Sequence, residues 1–416
     1  MSARRLSADW LLPVEGAPVR NGALLIGSDG RIAAVGPEDS VPSPPGIPSE
    51  RFDGSALIPG LVNTHTHLEL TGLAGRIDEP DFPRWIRRLR ELKLARTSDD
   101  FLAAARIGLA DCHAAGVTTV ADTGDSGMVA AALAETGGSG IAFHEVFGPH
   151  PVQVADSMAG LADRMRALQP FASDRVRLGV SPHAPYTVSG PLYAASAAWA
   201  RSAGYPLAVH VAESPEECAL LRDGSGAFAE AWARRGIPVE PVACCTPVEW
   251  LARHGVLGPD TLCIHVVHAS AADIARLASA GTAVAHCPLS NRAHAHGTSP
   301  VRALLDAGLR VGIGTDSVAS VGTLDLLAEV RAAARIAGLD AEAALRLCTI
   351  AAAEAIGLAA DVGSLVPGKW GDVAVMATGM TLDPVAAVVS SQLGDVRATY
   401  LGGRQVYGGA RAGTPA

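Results

Sequence analysis

What the sequence lacks narrows the field first. No apolar run is long enough to span a bilayer, so no membrane segment is expected. No charged, apolar and small-residue leader opens the chain. No stretch is strongly basic and the formal net charge is -9, which argues against nucleic acid as the main partner. The seven cysteines (Cys112, Cys218, Cys244, Cys245, Cys263, Cys287 and Cys348) are odd in number and form no CxxC pair. They read as reduced thiols of a cytoplasmic protein, most of them in its core.

What is present points to a packed enzyme. Hydrophobic residues make up 49% of the chain and charged residues 18%, a balance that favours a dense core over disorder. The 416 residues are long for one domain and suit a large barrel with an accessory domain. The run from Arg84 to Arg96 is cationic, but Trp85, Ile86, Leu89 and Leu92 interrupt it at helical spacing. It reads as a helix with a solvated basic face.

The two ends of the chain resemble each other. "NGALLIGSDGRIAAVGP" holds two apolar runs joined by Ser28-Asp29-Gly30, a hairpin signal. "PGKWGDVAVMA" and "DVRATYLGGRQVY" give further strands near the other end, with Gly402-Gly403 at a turn. Residues 1–55 and 363–416 are therefore expected to form one small β-sandwich domain.

Residues 56–362 alternate apolar strands with Ala- and Leu-rich helical stretches, the pattern of a parallel (β/α)8 TIM-type barrel, and the fold class is α/β. Eight strands are expected to end near His65, in Val117–Gly124, 140–148, 176–185, 206–214, 261–268, 282–291 and 310–317. Two connections are long, Leu68 to Phe101 and Ser214 to Asp260, and long βα loops commonly act as lids or substrate-binding elements.

The side chains at the strand ends carry the chemistry. In "NTHTH", His65 and His67 are two apart, so a strand points both imidazoles to one face. His210, His265 and Asp316 stand at the ends of later strands, where barrel enzymes place their sites. Imidazole and carboxylate together suit Zn(II) or Fe(II). Each alone also has a plain reading, as a hydrogen-bonded core histidine or a turn-forming aspartate.

The stretches "PGLVNTHTHLE", "GVTTVADTG", "SPHAPYTVS", "LAVHVAESPEE", "IHVVHAS", "AHCPLSN" and "GIGTDSVAS" resemble the amidohydrolase superfamily, in its deaminase and chlorohydrolase branch. They cover all the barrel strands except the third. The resemblance implies that His65, His67, His210 and Asp316 bind one divalent ion, zinc ahead of iron. It implies that His265 hydrogen-bonds the water on that ion. Two-metal relatives often use a carboxylated lysine on a strand. The two lysines here, Lys93 and Lys369, lie on no expected barrel strand.

Catalytic roles for Glu213, His265 and Asp316 follow from the same resemblance. Glu213, in "HVAE", would protonate a ring nitrogen and shuttle protons. Glu216 and Glu217 read as surface carboxylates at a helix start. The expected reaction is hydrolytic deamination of a small 6-aminopurine nucleoside derivative, with release of ammonia.

For the substrate, His183 in "SPHAP" and Trp85 in "DFPRWI" match positions that meet the base in adenosine-type relatives, although Trp85 also fits the buried face of a helix. Pro83 stands where some S-adenosylhomocysteine deaminases carry a ribose-binding glutamate, and Glu69 in "HLEL" could take that part. "HLEL", "DFPRWI" and "SPHAPYTVS" resemble the aminofutalosine deaminases of menaquinone biosynthesis, so aminodeoxyfutalosine is the expected substrate. Leu289 departs from a "CPRSN" pattern, and Arg292 or an arginine among Arg84 to Arg90 would have to compensate. Other readings are an S-adenosylhomocysteine, methylthioadenosine or adenosine deaminase, a guanine, pterin or triazine hydrolase, and a binding protein that has lost its chemistry. Family members are often homodimers. His286 either lines the site or packs.

Overall fold

The computed structural model describes residues 3–239 and 244–408. Residues 240–243 of the second long connection, and the two extremes of the expected terminal domain, lie outside them. Four strands open the chain: β1 (Arg4–Leu11), β2 (Val19–Ile26), β3 (Ile32–Pro37) and β4 (Ser49–Pro59). Eight follow in the middle: β5 (Leu61–Thr66), β6 (Val117–Gly124), β7 (Ser139–Val146), β8 (Val176–Pro182), β9 (Leu207–Val211), β10 (Thr261–His265), β11 (Ala283–His286) and β12 (Arg310–Ile313). Three close the series: β13 (Val373–Ala377), β14 (Val396–Leu401) and β15 (Arg404–Tyr407).

The terminal strands form one mixed sheet in the order β15-β14-β13-β4-β1-β2-β3, which makes the expected β-domain from both ends of the chain. The hairpin β2–β3 turns at the predicted Ser28-Asp29-Gly30, where Gly30 has φ +82. Leu6, Leu24, Ile26, Leu57, Val375 and Tyr400 pack beneath this sheet. Strand β4 is the hinge between the two bodies: after Pro59 and Gly60 the chain enters β5.

Strands β5 to β12 pair in parallel and in sequence, with helices between them, and all eight expected barrel strands are present. The barrel is nearly closed. Near the lower end the segment Leu347-Cys348 is wedged between β12 and β5, accepting the Ile313 N–H at 3.1 Å and the Val62 N–H at 2.8 Å. At the top, Thr315 and Asp316 donate their backbone N–H groups to the His65 carbonyl at 3.1 and 3.0 Å. Asn63 locks that seam, giving its amide N–H to Thr315 Oγ1 and accepting the Thr315 backbone N–H. The seam therefore joins the strand that carries the histidine pair to the strand that leads to Asp316.

The first long connection begins with helix α1 (Phe82–Leu94), capped by Asp81, whose carboxylate accepts the Arg84 N–H at 3.0 Å. Helix α2 (Ser98–Ala114) follows, with a reciprocal Thr97–Asp100 cap. Helix α1 lies over the barrel mouth, so its basic residues divide into two sets. Arg84, Arg87 and Arg88 are exposed and stand off the cavity, whereas Arg90, also exposed, and Lys93 line it, as does Arg96 just past the helix end. The solvated basic face is only half of that helix; the rest of its cations serve the cavity.

Candidate active site

His65 and His67 leave β5 on the same side and meet Asp316. His65 Nε2 and His67 Nε2 each lie 3.5 Å from Asp316 Oδ1. His210, at the end of β9, brings its Nε2 to 3.3 Å from His67 Nε2. The ligand atoms of His65, His67 and Asp316 lie within 4.8 Å of one another, as do those of His65, His210 and His265. The expected ligand set converges on one point at the C-terminal mouth of the barrel.

The donor chemistry fits a divalent ion there. The His67 Nδ1–H donates to the Thr123 carbonyl at 2.8 Å, and the His210 Nδ1–H donates to the His183 carbonyl at 3.1 Å. Each bond fixes the tautomer and turns an Nε2 lone pair inward, as metal-ligating histidines do. Burial, with repulsion from His65, pushes the His67 pKa down to about 3. Burial and the neighbouring imidazoles also hold His210 well below its usual value, so both rings are neutral. His65 is fully buried with neither ring nitrogen hydrogen-bonded, a costly state that an ion would relieve. Burial works to raise the Asp316 pKa, but the imidazoles of His65, His265 and His67 outweigh it and keep the carboxyl well below the usual range. The Ser290 hydroxyl donates to Asp316 Oδ2, leaving Oδ1 to face the histidines.

Backbone strain gathers at the same strand ends. Ala212, His265, Val266 and Asp316 have φ of +52, +72, +50 and +59. Such left-handed conformations are unfavourable for side chains with a Cβ, most of all for a β-branched valine, and they concentrate at functional sites. The kink after each of β9, β10 and β12 aims a functional side chain at the centre.

Glu213 follows that kink on β9. It is buried, and its Oε1 stands 3.6 Å from His265 Nε2. Burial first, then repulsion from Asp316, Glu217 and Glu216, raises its pKa well above the ordinary carboxylate value. His265 donates its Nδ1–H to Asn291 Oδ1 at 2.9 Å, so its Nε2 is a lone pair that accepts a hydrogen bond. Two partners of Glu213 were not foreseen. His296 Nδ1 lies 3.6 Å from Glu213 Oε1 on the other side, and that ring is buried. Glu217, expected on the surface, is fully buried instead. Its two oxygens accept the backbone N–H groups of Ala212 and Glu213 at 2.8 and 2.9 Å. The helix start at Ser214 is real, but its third residue points inward and braces the strand end. Glu216, read as a surface carboxylate, is half-buried.

A cavity of about 750 Å³ opens above the centre. His67, His210, Glu213, His265 and Asp316 form its floor, and His183, Trp85 and Tyr186 part of its wall. Trp85 is buried, as its helix-face reading expected, stacks on Phe82 at 6.3 Å and also lines the cavity. Glu69 sits behind the wall. It binds Lys93 Nζ at 2.8 Å and accepts from the Ser126 hydroxyl, so it acts on the cavity through Lys93. Lys93 also reaches Asp125 at 2.6 Å, and these carboxylates raise its pKa against the effect of burial. Of the arginines considered as replacements at Leu289, Arg90 lines the cavity, and Arg292 is exposed outside it. His286 is buried on β11 outside the lining. Glu145, at the end of the one barrel strand that no motif covered, was missed. It is buried, lines the cavity, and brings a carboxylate oxygen within 4.8 Å of ring nitrogens of both His67 and His210. Its place as the last inward residue of a barrel strand was the available signal.

A (β/α)8 barrel that holds three histidines and an aspartate at its C-terminal mouth defines a metal-dependent hydrolase. The comparisons place it further. Residues 56–406 match the amidohydrolase family, and the chain belongs to it. It is 33% identical over 98% of its length to a 5-methylthioadenosine/S-adenosylhomocysteine deaminase of Natronomonas pharaonis, covering 93% of that protein. It is 32% identical to an aminodeoxyfutalosine deaminase of Deinococcus radiodurans, across 82% of this chain and 83% of that one. Its fold matches a zinc-bound adenosine deaminase of Xanthomonas campestris with a TM-score of 0.84, at 24% identity, over 97% of this chain and 92% of the other. The protein is an enzyme, a hydrolase of carbon–nitrogen bonds other than peptide bonds.

Proposed function

We propose that this enzyme deaminates a 6-aminopurine nucleoside derivative by hydrolysis, with aminodeoxyfutalosine as its substrate. The observation that carries the reading is the position of Glu213. It is a buried carboxyl with a raised pKa, at the floor of a nucleoside-sized cavity and beside the His/Asp centre. Burial biases such a group toward its protonated form, the form that can deliver a proton.

His65, His67, His210 and Asp316 would hold one ion, zinc ahead of iron. A divalent ion in such a site acts as a Lewis acid and lowers the pKa of water to about 7. The protein's own groups do the rest. Glu213 gives its proton to the ring nitrogen beside the amino-bearing carbon, which makes that carbon electrophilic. Asp316 takes a proton from the attacking water through Oδ1. His265, with an Nε2 lone pair, orients that water by accepting a hydrogen bond. Asp316 passes that proton to the amino group, which leaves as ammonia; the proton of the added hydroxyl returns to Glu213, and the ring retains a carbonyl oxygen.

Two features favour aminodeoxyfutalosine. Arg90, Arg164 and Arg235 line the cavity and make no ion pair among the described residues, which suits a substrate with an anionic group beyond the sugar. Trp85, Phe101 and Phe147 line it too and suit an aryl ring. Aminodeoxyfutalosine carries a benzoate. S-adenosylhomocysteine carries a carboxylate without the ring, and methylthioadenosine carries neither. The relative named for the latter two keeps them as the second reading. Comparing kcat/KM for the three substrates tests the choice. A preference for S-adenosylhomocysteine would replace the substrate and leave the reaction standing.

A further inference from the structure

On the cavity wall two buried or half-buried polar groups, His183 Nε2 and Glu145 Oε1, face each other at 3.9 Å, too far apart for a hydrogen bond. His183 Nδ1 meets Thr187 Oγ1 at 2.8 Å, and the Thr187 hydroxyl in turn donates to the Ala184 carbonyl at 3.0 Å. A carbonyl can only accept, so the hydroxyl proton is committed and the proton on the His183–Thr187 contact belongs to Nδ1. His183 Nε2 is then a bare lone pair. It lies 3.9 Å from Glu145 Oε1, a buried carboxyl oxygen with no hydrogen-bond partner among the described residues. Both groups line the cavity. A buried acceptor without a donor is a cost that a ligand donor would remove.

We infer that Glu145 and His183 form the subsite that receives a sugar hydroxyl of the substrate. This rests on the nucleoside reading above. One hydroxyl can donate to Glu145 Oε1, and a neighbouring hydroxyl, or the same one reoriented, can donate to His183 Nε2. Burial raises the Glu145 pKa well above the ordinary carboxylate value, and Lys93, fixed between Glu69 and Asp125 on the same wall, opposes that in part. Glu145 stands near the end of the third barrel strand and His183 just after the end of the fourth. The subsite also gives His183 an acceptor role toward the sugar in place of the expected contact with the base.

The test uses the metal-loaded wild type, Glu145→Ala and Glu145→Gln. Adenosine, 2′-deoxyadenosine and 3′-deoxyadenosine are measured as substrates, or as competitors of whichever aminopurine nucleoside is turned over. For the wild type, at least one deoxy analogue should be about 10- to 100-fold poorer than adenosine, the loss expected when a buried polar group is left unpaired. Glu145→Ala should lose about that factor on adenosine and little on the poorer analogue. Glu145→Gln, which keeps the side-chain shape and one oxygen, should fall between and covers the case in which the alanine variant does not fold. Metal content should stay at the wild-type level in any variant that folds. Equal losses on all three compounds, or no loss, would overturn the subsite. A wild type that deaminates no aminopurine nucleoside would overturn the function itself, a different and recognisable result.

Discussion

Glu217 Oε2 accepts the backbone N–H of Glu213 at 2.9 Å, so one buried carboxylate holds the backbone of another. Glu217 Oε1 does the same for Ala212, whose φ of +52 makes the turn that aims Glu213 at the floor of the cavity. Glu217→Gln would keep one acceptor and turn an NH2 group toward the other N–H. The expected result is a fall in kcat of roughly 10- to 100-fold, the usual scale for losing an outer-shell partner, with the metal retained. Kinetics and metal analysis on the same preparation check it.

The same residue sets a pH dependence of stability. Burial pushes the Glu217 pKa from 4.5 up to about 7, against the pull of the Glu213, Ala212 and Ser214 backbone groups. The folded protein therefore holds a proton that the unfolded chain has already released. That contribution is complete below pH 4.5 and is lost as pH rises through about 7. Unfolding of the wild type relative to Glu217→Gln, measured from about pH 4.5 to about pH 8, should show the wild type losing up to about 3 kcal/mol across that window. A difference that does not change with pH would show that Glu217 titrates alike in both states.

Much of the site could be read from the sequence because its residues obey short rules. His65 and His67 share a strand face at a spacing of two, and His210, His265 and Asp316 stand at strand ends in barrel order. The hairpin at Ser28-Asp29-Gly30 and the alternation of strand and helix were equally local. What escaped depended on distance in space. Glu217 looks like any acidic helix start until the kink at Ala212 brings two N–H groups to it. Glu145 sits in an apolar strand with no motif around it, and Lys93 belongs to a basic helix whose inward face is defined only by the barrel beneath. Glu69 follows the histidine pair closely, yet the short helical turn Leu68–Leu73 carries it behind the wall.

Lys93 joins Glu69 and Asp125 at 2.8 and 2.6 Å, with Glu69 almost wholly buried. Lys93→Met would leave that buried carboxylate without its cation. The expected cost is about 3–5 kcal/mol, since breaking a buried pair strands the remaining charge. Thermal or denaturant unfolding measures it. A change within about 0.5 kcal/mol would mean that Glu69 is satisfied by Ser126 alone.

Removing metal should act on structure as well as on rate. His65, whose ring nitrogens make no hydrogen bond among the described residues, loses the ion it would bind. Treatment with a chelator should abolish turnover and lower the melting temperature, and one equivalent of zinc per chain should restore both. Metal analysis should find one ion; two per chain would contradict the four-ligand centre.

The most direct measurement is ammonia release by the metal-loaded enzyme from aminodeoxyfutalosine, beside Glu213→Gln under the same conditions. The wild type should release ammonia in step with loss of the aminopurine. The variant should bind its ion normally and be slower by about 10²- to 10⁴-fold, the usual contribution of a general acid–base group. No ammonia from aminodeoxyfutalosine, S-adenosylhomocysteine, methylthioadenosine or adenosine, or a Glu213→Gln variant as fast as the wild type, would contradict the account.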